Sequence, residues 1–209
     1  MSSSQDNLTV ITAATLGHYE SRAQDYWAGT RDHDVQQNID ALLAHIEGAP
    51  PFTILDAGCG PGRDLITLAA LGHQPVGLDG AAAFADMARA HSGCEVWHQD
   101  FLALDLPSNR FDGIFANASL QHIPKTELPR VLRDLHATLK ERGVLFASIP
   151  HGDDQEGGND ERYSCFHSPA SWHALLQSAG FIECLTYYRP AGLPRSEQRW
   201  LASVWRKIE

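Results

Sequence analysis

The 209-residue sequence predicts an α/β fold in which helices cover both faces of a mostly parallel β-sheet. Short apolar runs alternate with longer amphipathic segments at intervals of about 20 to 30 residues, which is the pattern of right-handed βαβ crossovers. The last two apolar runs, 181–188 and 199–208, are joined by a proline-containing loop with no helix between them. We therefore expect a seven-stranded sheet that ends in an antiparallel hairpin at its edge.

The parallel strands and their helices follow one another after the Pro50-Pro51 pair. The strands are predicted at 52–58, 75–80, 94–99, 111–118 and 143–150. The helices are predicted near 62–71, 81–91, 125–140 and 168–179, where apolar residues recur at helical spacing. One such apolar stripe consists of Leu128, Val131, Leu132, Leu135 and Leu139.

The segment before the sheet predicts a helical lid on a single domain that runs from residue 15 to residue 209. Residues 1–14 are Ser-rich at their start and are expected to be disordered. Residues 15–48 predict two helices separated by the polar joint GTRDHD, with Gly48 as the C-cap of the second helix. The core of the domain is then expected at 52–209.

Composition and charge exclude several classes of protein. The sequence carries 16 basic and 26 acidic side chains, for a formal net charge of −10. Phosphate backbones and anionic bilayers repel such a chain unless its cations are segregated, so we expect neither a nucleic-acid nor a membrane partner. No apolar run reaches the roughly 18 to 20 residues of a membrane span. The first residues lack the pattern of a secretory signal, which predicts a cytoplasmic protein.

The cysteines and histidines indicate neither disulfides nor a metal site. The four cysteines Cys59, Cys94, Cys165 and Cys184 lie far apart without CxxC pairing and predict free thiols. None of the 11 histidines forms the i, i+4 pair of a helical zinc site. We therefore expect no metal.

A glycine-rich turn follows the first strand, in the sequence ILDAGCGPGRD at 54–64. Glycines there allow positive φ and close approach of a ligand, and the helix behind them offers free N–H groups. Asp79 closes the second strand 19 residues after Gly60, the spacing at which a carboxylate accepts both ribose hydroxyls of a nucleoside. An alternative role for Asp79 is to cap the helix that starts at Ala81.

This GxGxG turn differs from the GxGxxG of dinucleotide-binding folds, and the sequence resembles the class I S-adenosylmethionine-dependent methyltransferases from about Tyr19 to the last strand. The resemblance rests on ILDAGCGPGRD, GLDG, HQDFLALDLP, FDGIFANASLQHIP and the terminal hairpin. It implies a Rossmann-like fold and S-adenosylmethionine as the cofactor, with S-adenosylhomocysteine as its product.

The resemblance also implies roles for individual residues. Backbone groups of Gly58, Cys59 and Gly60 would contact the methionine and ribose portions, and Asp79 would bind the ribose hydroxyls. Asp100 would accept from the adenine amine. The residues expected to contact the cofactor are Tyr19, Tyr26, Asp56, Gly58, Cys59, Gly60, Arg63, Asp79, Gly80, Asp100, Phe101, Asn117 and Ala118.

Three segments outside these motifs are candidates for binding the methyl acceptor. In the lid segment 19–38, Tyr26 and Trp27 offer aromatic faces for a cation–π contact, or they pack in the core. The charged joint is either a solvated loop or, at Asp34, the N-cap of the next helix. His122, after the fourth strand, is either a base or a structural histidine. The polar loop 151–167 is either functional or disordered.

These segments resemble one subgroup, the methyltransferase domains at the C-terminus of ovothiol-synthesising enzymes and their separately encoded counterparts. The shared stretches are GTRDHDVQQNI, FANASLQHIP, ERYSCFH and YYRPAGLPRSEQRWLASVWRK, with a departure at Gln121, where an apolar or aromatic residue is expected. The resemblance implies N-methylation of the imidazole of 5-thiohistidine to form ovothiol A. It also implies fusion to, or cooperation with, an iron-dependent sulfoxide synthase that this sequence lacks.

An amino-acid acceptor needs groups for its two charges and for the proton that it loses. His122, Asp34 and His33 are the candidate bases. Arg31 or Arg162 could hold the carboxylate, and Asp32 or Asp34 the ammonium. The residues expected to contact the acceptor are Trp27, Arg31, Asp34, Asn38, Asn117, Gln121, His122, Arg162 and Tyr163.

Three other functions compete with this interpretation. The first is a methyltransferase of the same class that acts on another small molecule, because the lid and loops vary while the cofactor frame does not. The second is a nicotinamide-binding oxidoreductase, which the GxGxG spacing and Asp100-Phe101 disfavour. The third is a binding module without catalysis, against which the intact first motif and Asn117 argue.

Overall fold

A seven-stranded sheet forms the centre of the computed structural model, which describes residues 2–157 and 162–208, with side chains from residue 7 onward. Its strands are β1 (Thr53–Ala57), β2 (Gln74–Asp79), β3 (Glu95–His98), β4 (Phe111–Asn117), β5 (Leu139–Pro150), β8 (Phe181–Arg189) and β9 (Trp200–Lys207). They lie in the order β3-β2-β1-β4-β5-β9-β8. The first five strands are parallel, and β9 is antiparallel to both β5 and β8.

Helices cover the sheet on both faces. They are α1 (Ser2–Ser21), α2 (Ala23–Thr30), α3 (Gln36–Leu43), α4 (Arg63–Ala70), α5 (Ala82–Ser92), α6 (Leu128–Thr138) and α7 (Pro169–Ser178). None of these helices has the length and apolar content that a membrane span requires. A separate antiparallel pair, β6 (Gln155–Gly157) and β7 (Ser164–Phe166), lies in the polar loop after β5.

The core has two main layers because alternate strand residues face opposite sides of the sheet. On one face, Leu55 and Leu145 belong to a cluster that contains the apolar stripe of α6 and the buried Trp172 of α7. On the other face, Ile54 and Phe146 pack with residues of α3 and α4. Strands that are buried on both sides explain the nearly continuous apolar runs in the sequence.

The structure confirms the predicted fold class, including the parallel strands, the four helices between and after them, and the terminal hairpin. The N-terminal segment differs. Residues 2–14 belong to helix α1, so the expected disorder of 1–14 is wrong for them. The C-terminal half of α1 docks on the core, for example through the buried Thr15, and helix propagation from a docked turn adds residues at little cost.

The lid contains three helices where two were predicted. Gly48 is not a C-cap, because α3 ends at Leu43 with Ala44 as its C-cap. The polar joint between α2 and α3 is present, and the Asp34 side chain accepts a hydrogen bond of 2.9 Å from the amide of Gln36 in the first turn of α3. Asp34 therefore stabilises the start of α3 from one residue outside the N-cap position.

The loop after β5 is ordered around one carboxylate. Asp154 accepts hydrogen bonds from the amide of Ser168 and the hydroxyl of Ser171, at the start of α7. These bonds lower the pKa of Asp154 to about 2. The acidic residues Asp160 and Glu161, which were expected in the same loop, lie outside the described residues.

Candidate active site

A cavity of about 780 Å³ lies at the carboxyl ends of β4 and β5, where parallel α/β sheets bind their ligands. The lid helices, the segment around β7 and the turn end of the terminal hairpin, where β8 ends and β9 begins, form its walls. The sequence-predicted site residues that line it are Tyr19, Tyr26, His33, Asp34, Asn38, Arg63, Asn117, Ala118, Gln121, His122 and Arg162. The structure thus brings together residues from segments more than 140 positions apart in the sequence.

The glycine turn between β1 and α4 has the backbone geometry that only glycine adopts easily. Gly58 and Gly62 have φ of 82° and 96°. A Cβ on Gly58 would overlap the side chain of Ser119, and one on Gly62 would lie 2.8 Å from Cα of Ala88. The turn therefore requires glycine at both positions for close packing as well as for backbone conformation.

Asp79 ties the end of β2 to this turn. Its two carboxylate oxygens accept hydrogen bonds of 2.9 Å from the amides of Gly60 and Ala81. The capping role and the position beside the glycine turn therefore occur together. Desolvation by burial raises the pKa of Asp79 to about 6, despite those two bonds. A carboxylate has about four lone-pair sites, so two remain for ligand hydroxyls.

Asp56 supplies a buried acceptor at the end of β1. Its side chain is 2% exposed, and among the described residues nothing hydrogen-bonds to its Oδ2 atom. Burial, and then the nearby charge of Asp64, raises the pKa of Asp56 well above its usual range. A buried carboxylate without a donor favours a ligand that carries N–H groups or positive charge, such as the ammonium of a methionine moiety.

Asp100 and Phe101 follow β3 as the resemblance implies. Asp100 Oδ1 accepts a hydrogen bond of 2.9 Å from the amide of Leu102, which fixes a short 3₁₀ turn at Phe101–Ala103. The Phe101 ring reaches toward the glycine turn, 3.7 Å from a Cβ built on Gly58. The second oxygen of Asp100 is left for a ligand, as an adenine amine would require.

Lid helices α1 and α2 cover the glycine turn and the end of β2. The rings of Tyr19, Tyr26 and Phe84 form one cluster with centroids 5.1 to 5.7 Å apart. Leu16 lies against Gly80, 2.8 Å from a built Cβ, and Tyr26 lies against Gly60 at 3.8 Å. The predicted cofactor residues that do not line the cavity are Asp56, Gly58, Cys59, Gly60, Asp79, Gly80, Asp100 and Phe101. A nucleoside that contacts them must displace or slide beneath α1 and α2.

Asn117, at the end of β4, is held by a chain of hydrogen bonds from the lid. Tyr187 donates to Oδ1 of Asn38 at 2.8 Å, and Nδ2 of Asn38 donates to Oδ1 of Asn117 at 2.9 Å. The chain assigns the amide of Asn117 so that its NH₂ group is free for the cavity that it lines. The next residue, Ala118, has φ of 60°, an unusual value for alanine beside a ligand cavity.

His122 has a fixed tautomer. Its Nδ1 lies 2.7 Å from the carbonyl of Tyr163 and must donate to it, so Nε2 is the acceptor. Nε2 accepts from the hydroxyl of Tyr19 at 2.7 Å and from Nε2 of Gln121 at 3.2 Å. Burial lowers the pKa of His122 to about 4, so the ring is neutral at pH 7.

Two arginines bring positive charge into the cavity without a carboxylate partner among the described residues. Arg162 donates to the hydroxyl of Tyr19 at 3.0 Å, and Arg189 donates to the backbone carbonyl of Asp34 at 3.1 Å. The third arginine, Arg63, is already paired, because its guanidinium forms two bonds of 2.6 and 2.8 Å to Asp64. Arg162 and Arg189 are thus the cations available to an anionic ligand.

Sequence analysis missed Arg189, which lines the cavity together with Ser148, Pro150 and Trp200. The register of the hairpin places it there, since Trp200 pairs with Pro150 on β5 and with Arg189 on β8. The carboxyl end of β5 was predicted from the sequence, but the register between β5 and the hairpin was not. A signal was present in the motif YYRPAGLPRSEQRW, where the conformational break at Pro190 follows Arg189 directly.

Three residues expected to contact the acceptor lie elsewhere in this structure. Trp27 stacks on His91 with ring centroids 4.3 Å apart, which corresponds to the packing alternative. Arg31 lines a neighbouring cleft of about 170 Å³ and pairs with the exposed Asp32. Tyr163 turns its hydroxyl to the amide of Lys125. Tyr163 contributes to the site through its backbone carbonyl, which accepts a hydrogen bond from Nδ1 of His122, and not through its ring.

Neither a metal cluster nor a disulfide occurs within residues 2–157 and 162–208. No group of three or more His, Cys, Asp or Glu side chains there could hold a metal ion. The four cysteines are free thiols, as their spacing predicts.

Comparisons with known proteins agree with this geometry. Residues 54–143 match the methyltransferase domain family. Trans-aconitate 2-methyltransferase of Yersinia pestis is 34% identical over 175 residues, which are 79% of this chain and 64% of that protein. The protein of the same name from Azoarcus sp. is 33% identical over 145 residues, 68% of this chain and 54% of that protein.

A solved structure covers nearly the whole chain. The 1,6-didemethyltoxoflavin-N1-methyltransferase of Burkholderia thailandensis, with bound 1,6-didemethyltoxoflavin and S-adenosylhomocysteine, has a TM-score of 0.80 at 22% identity. The similarity covers 97% of this chain and 91% of that one.

Residues 54–143 therefore match a methyltransferase domain family, and the solved structure shares the fold of this chain. These similarities favour a methyltransferase over the nicotinamide-binding oxidoreductase. The chain spans 64% of the length of the Yersinia relative, so the acceptor cannot be transferred from that relative's name and must be argued from the cavity.

Proposed function

We propose that the protein is a class I S-adenosylmethionine-dependent methyltransferase. We propose further that it transfers the methyl group to an imidazole nitrogen of a small amino acid, 5-thiohistidine, to form ovothiol A. The observation that carries the proposal is the mixed charge of the cavity. It combines two arginines that have no carboxylate partner among the described residues, Arg162 and Arg189, with the carboxylate of Asp34. Asp32 also lines the cavity, although its carboxylate pairs with Arg31. A zwitterionic amino acid presents the complementary pair of charges.

The cofactor would be held by the frame at the ends of β1 to β4. Asp79 would accept from the ribose hydroxyls, Asp100 from the adenine amine, and the unpaired Oδ2 of Asp56 suits a cationic amino group. When bound, S-adenosylmethionine supplies an electrophilic methyl group on a sulfonium. The aromatic faces of Tyr19 and Tyr26 are available to stabilise such a cation by roughly 0.5–2 kcal/mol.

The acceptor would be oriented by its two charged groups. Arg189 has unused N–H donors beyond its bond to the Asp34 carbonyl and would bind the carboxylate, with Arg162 as the alternative. Asp32 and Asp34 would receive the ammonium. Orientation matters here because an in-line displacement gains most of its rate from positioning of the reacting atoms.

Gln121 supports an acceptor that carries N–H groups. Its Nε2 donates to the carbonyl of Ala118 at 2.8 Å, whereas nothing among the described residues donates to its buried Oε1. An unpaired buried acceptor costs free energy that a ligand N–H can recover. The residue that departs from the subgroup pattern therefore adds an oxygen for a ring N–H or an ammonium.

Three residues are candidates for removing the proton that an imidazole loses on methylation. His122 is neutral at pH 7 and lines the cavity, so it is the first candidate. Asp34 is the second candidate, although its Oδ1 already accepts a hydrogen bond from the amide of Gln36 at the start of α3. His33 lines the cavity as well, from the exposed joint of the lid.

The proposed acceptor must come from an enzyme that installs sulfur on histidine. The resemblance assigns that step to an iron-dependent sulfoxide synthase, on the same polypeptide or on a separate one. Two measurements test this partnership. One is co-purification of the methyltransferase with the sulfoxide synthase, and the other is a rise in the amount of ovothiol formed when the two enzymes are expressed together.

A carboxylic acid is the second candidate acceptor. The relatives of Yersinia and Azoarcus are named trans-aconitate 2-methyltransferases, and Arg162 and Arg189 suit a polycarboxylate as well. The carboxylates of Asp32 and Asp34 oppose it, because they would face further negative charge in the same cavity.

A panel of acceptors distinguishes the two. The purified protein is incubated with S-adenosylmethionine and 5-thiohistidine, histidine, histamine or trans-aconitate, and each product is analysed for the mass gain of one methylene group. We expect methylation of thiohistidine on the ring nitrogen. Methylation of trans-aconitate alone would overturn the proposal in favour of the second candidate.

A further inference from the structure

The side chain of Tyr19 lines the cavity and bonds to His122. Its hydroxyl donates to Nε2 of His122 at 2.7 Å, and its oxygen accepts from Nη1 of Arg162 at 3.0 Å. Because Nε2 of His122 is already occupied by Tyr19 and Gln121, an acceptor molecule in the cavity cannot reach its lone pair without breaking these bonds. The oxygen of Tyr19, which lines the cavity, has the more accessible lone pair.

We propose that Tyr19 is a catalytic residue that receives the proton lost by the methyl acceptor and passes its own proton to His122. This inference rests on the proposed function, since it requires an acceptor whose nucleophile carries a hydrogen. The residues form one chain of hydrogen bonds: Arg162, Tyr19, His122 and the carbonyl of Tyr163.

The step balances in atoms and charge. The imidazole nitrogen that carries no hydrogen forms a bond to the methyl carbon, and the carbon–sulfur bond breaks with its electron pair staying on sulfur. The nitrogen–hydrogen bond at the other ring nitrogen then breaks, and its electron pair stays on the ring. The proton goes to the Tyr19 oxygen as the phenolic proton moves to Nε2 of His122. His122 then holds protons on both nitrogens, and the Tyr163 carbonyl accepts from Nδ1.

The groups around this chain explain why it returns to its starting state. Burial is the main reason that His122 is a weak base, and the charges of Arg162 and His18 act in the same direction. Burial is the main cause that raises the pKa of Tyr19 and so disfavours a phenolate. Arg162 opposes this effect, whereas Tyr26 and the charge of Asp79 act in the same direction as burial. A proton on His122 is therefore released readily through Tyr19 to solvent once the product leaves the cavity.

Gln121 gives a second, independent reason to place an N–H acceptor beside Tyr19. Its buried Oε1 has no donor among the described residues, and its Nε2 contacts the same atom of His122 that Tyr19 contacts. An acceptor ring that donates to Gln121 Oε1 therefore lies next to the Tyr19–His122 pair. A carboxylate nucleophile would use neither the oxygen of Gln121 nor the proton path.

The test compares Tyr19→Phe with Tyr188→Phe, a matched change outside the cavity at a ring that packs on His151 and Arg195. Steady-state kinetics are measured from pH 6 to pH 10 with the acceptor that the panel identifies. The affinity for S-adenosylhomocysteine is measured by calorimetry. For Tyr19→Phe we expect kcat to fall by about 10²-fold at pH 7, the scale of general base catalysis. We expect that loss to shrink as pH rises, and cofactor affinity to change less than threefold. Tyr188→Phe should retain wild-type values.

Arg162→Gln provides a second variant that keeps the tyrosine. It should lower kcat in the same direction with unchanged cofactor affinity, because the phenol loses the cation that stabilises its oxygen. The proposal is overturned if Tyr19→Phe retains kcat within threefold, or if its loss of kcat is matched by an equal loss of cofactor affinity, as expected for a residue that only docks α1. It is also overturned if the wild type methylates only acceptors that lose no proton.

Failure of the proposed function gives a different result. If the wild type methylates another N–H, O–H or S–H acceptor and not thiohistidine, the thiohistidine assignment is wrong. The same comparison of variants with that acceptor then still decides whether Tyr19 takes the proton.

Discussion

The buried carboxylate of Asp79 is ionised at neutral pH at a cost in folding stability, and a bound ligand can recover part of that free energy. Burial raises its pKa from the usual value near 4 to about 6, so the folded protein favours the neutral carboxyl below that pH. The stability contributed by the neutral form is present below about pH 4 and is lost as pH rises to about 6. At neutral pH the carboxylate is thus ionised at a cost in stability. Ribose hydroxyls that donate to it would recover part of this free energy.

This cost predicts a pH dependence of cofactor binding. The affinity for S-adenosylhomocysteine should fall as pH drops below about 6, because a protonated Asp79 is a poorer acceptor for hydroxyl donors. Asp79→Asn should weaken binding at pH 8 by about 1.5–3 kcal/mol and remove this dependence. Calorimetry from pH 5 to pH 8 measures both effects.

The exposed Asp86 provides the matched control for that experiment. Its carboxylate pairs with Arg89 at the surface, so Asp86→Asn should leave cofactor affinity unchanged. An affinity for S-adenosylhomocysteine that is constant between pH 5 and pH 8 in the wild type would remove Asp79 from the binding site.

Arg189 should determine the affinity for the acceptor without affecting the cofactor. Arg189→Gln removes a cation that has no carboxylate partner among the described residues, and a charge-assisted hydrogen bond of this kind contributes about 1.5–3 kcal/mol. The KM for the acceptor should rise by roughly 10- to 100-fold with little change in cofactor affinity. Arg199→Gln, on the exposed loop before β9, serves as the control. Equal KM values for the two variants would contradict the role.

At the scale of elements, helix α1 contacts the rest of the chain mainly near its C-terminal end, where Tyr19 also bonds to His122 and Arg162. Thr15 accepts from the amide of Tyr163, Glu20 accepts from the amide of Ala83, and Leu16 lies against Gly80. Most other described residues of α1 are exposed or half-buried. Elements with so few buried contacts open with a small free energy, as expected for a segment that must move when a nucleoside reaches the glycine turn.

Cofactor binding should therefore protect the lid from hydrogen exchange. We expect amide exchange in residues 7–30 to slow by at least an order of magnitude when S-adenosylhomocysteine is saturating, because the ligand adds contacts to Tyr19 and Tyr26. Exchange in α6, whose apolar face packs in the core, should change little. Equal exchange in the lid with and without the ligand would show that α1 and α2 do not close on the cofactor.

The elements differ in how well the sequence predicts them. The apolar runs of β1, β2 and β4 are mostly buried and stand out between amphipathic helices, so these strands were predicted within one residue of their bounds. Strand β5 begins at Leu139, four residues before its predicted start, because the first residues of this strand include exposed polar residues that carry no strand pattern. Helix α1 has no apolar stripe in its sequence and forms because Thr15, Leu16 and Tyr19 dock on distant parts of the chain. The hydrophobic pattern of the α1 sequence does not indicate this docking, because the contacts join segments that are far apart in the chain.

The site residues also differ in how well the sequence predicts them, depending on whether they end a strand or are positioned by tertiary packing. Asp79, Asp100 and Asn117 end predicted strands, so topology alone places them at one edge of the sheet. Arg189 depends on the register of the hairpin against β5, and Trp27 depends on its stacking with His91. Both are tertiary relations between segments with no fixed spacing in the sequence.

At the scale of the whole molecule, one aromatic residue joins the helix layer to the antiparallel edge. Trp172 is 1% exposed, and its Nε1 donates to the hydroxyl of Ser203 on β9 at 3.1 Å. Trp172→Ala should lower the free energy of unfolding by about 3–5 kcal/mol, the cost of a large cavity. Leu193→Ala, at a side chain that is 44% exposed, should cost less than about 0.5 kcal/mol. Urea denaturation compares them, and equal costs would contradict the assigned packing.

At the scale of the whole molecule, the net charge and the charges in the cavity together indicate the kind of acceptor that we expect. The chain has a net charge of −10, yet the cavity contains two arginines without carboxylate partners among the described residues. We expect this net charge to disfavour polyanions such as nucleic acids, while the cavity can still bind a single carboxylate locally. A small molecule of low net charge fits both conditions.

The acceptor assay tests this account most directly. The purified protein, S-adenosylmethionine and an equimolar mixture of 5-thiohistidine and trans-aconitate are incubated at pH 7.5, and products are resolved by mass spectrometry. We predict that 5-thiohistidine gains one methyl group on an imidazole nitrogen and that trans-aconitate remains unmodified. Methylated trans-aconitate together with unmodified 5-thiohistidine would contradict the account.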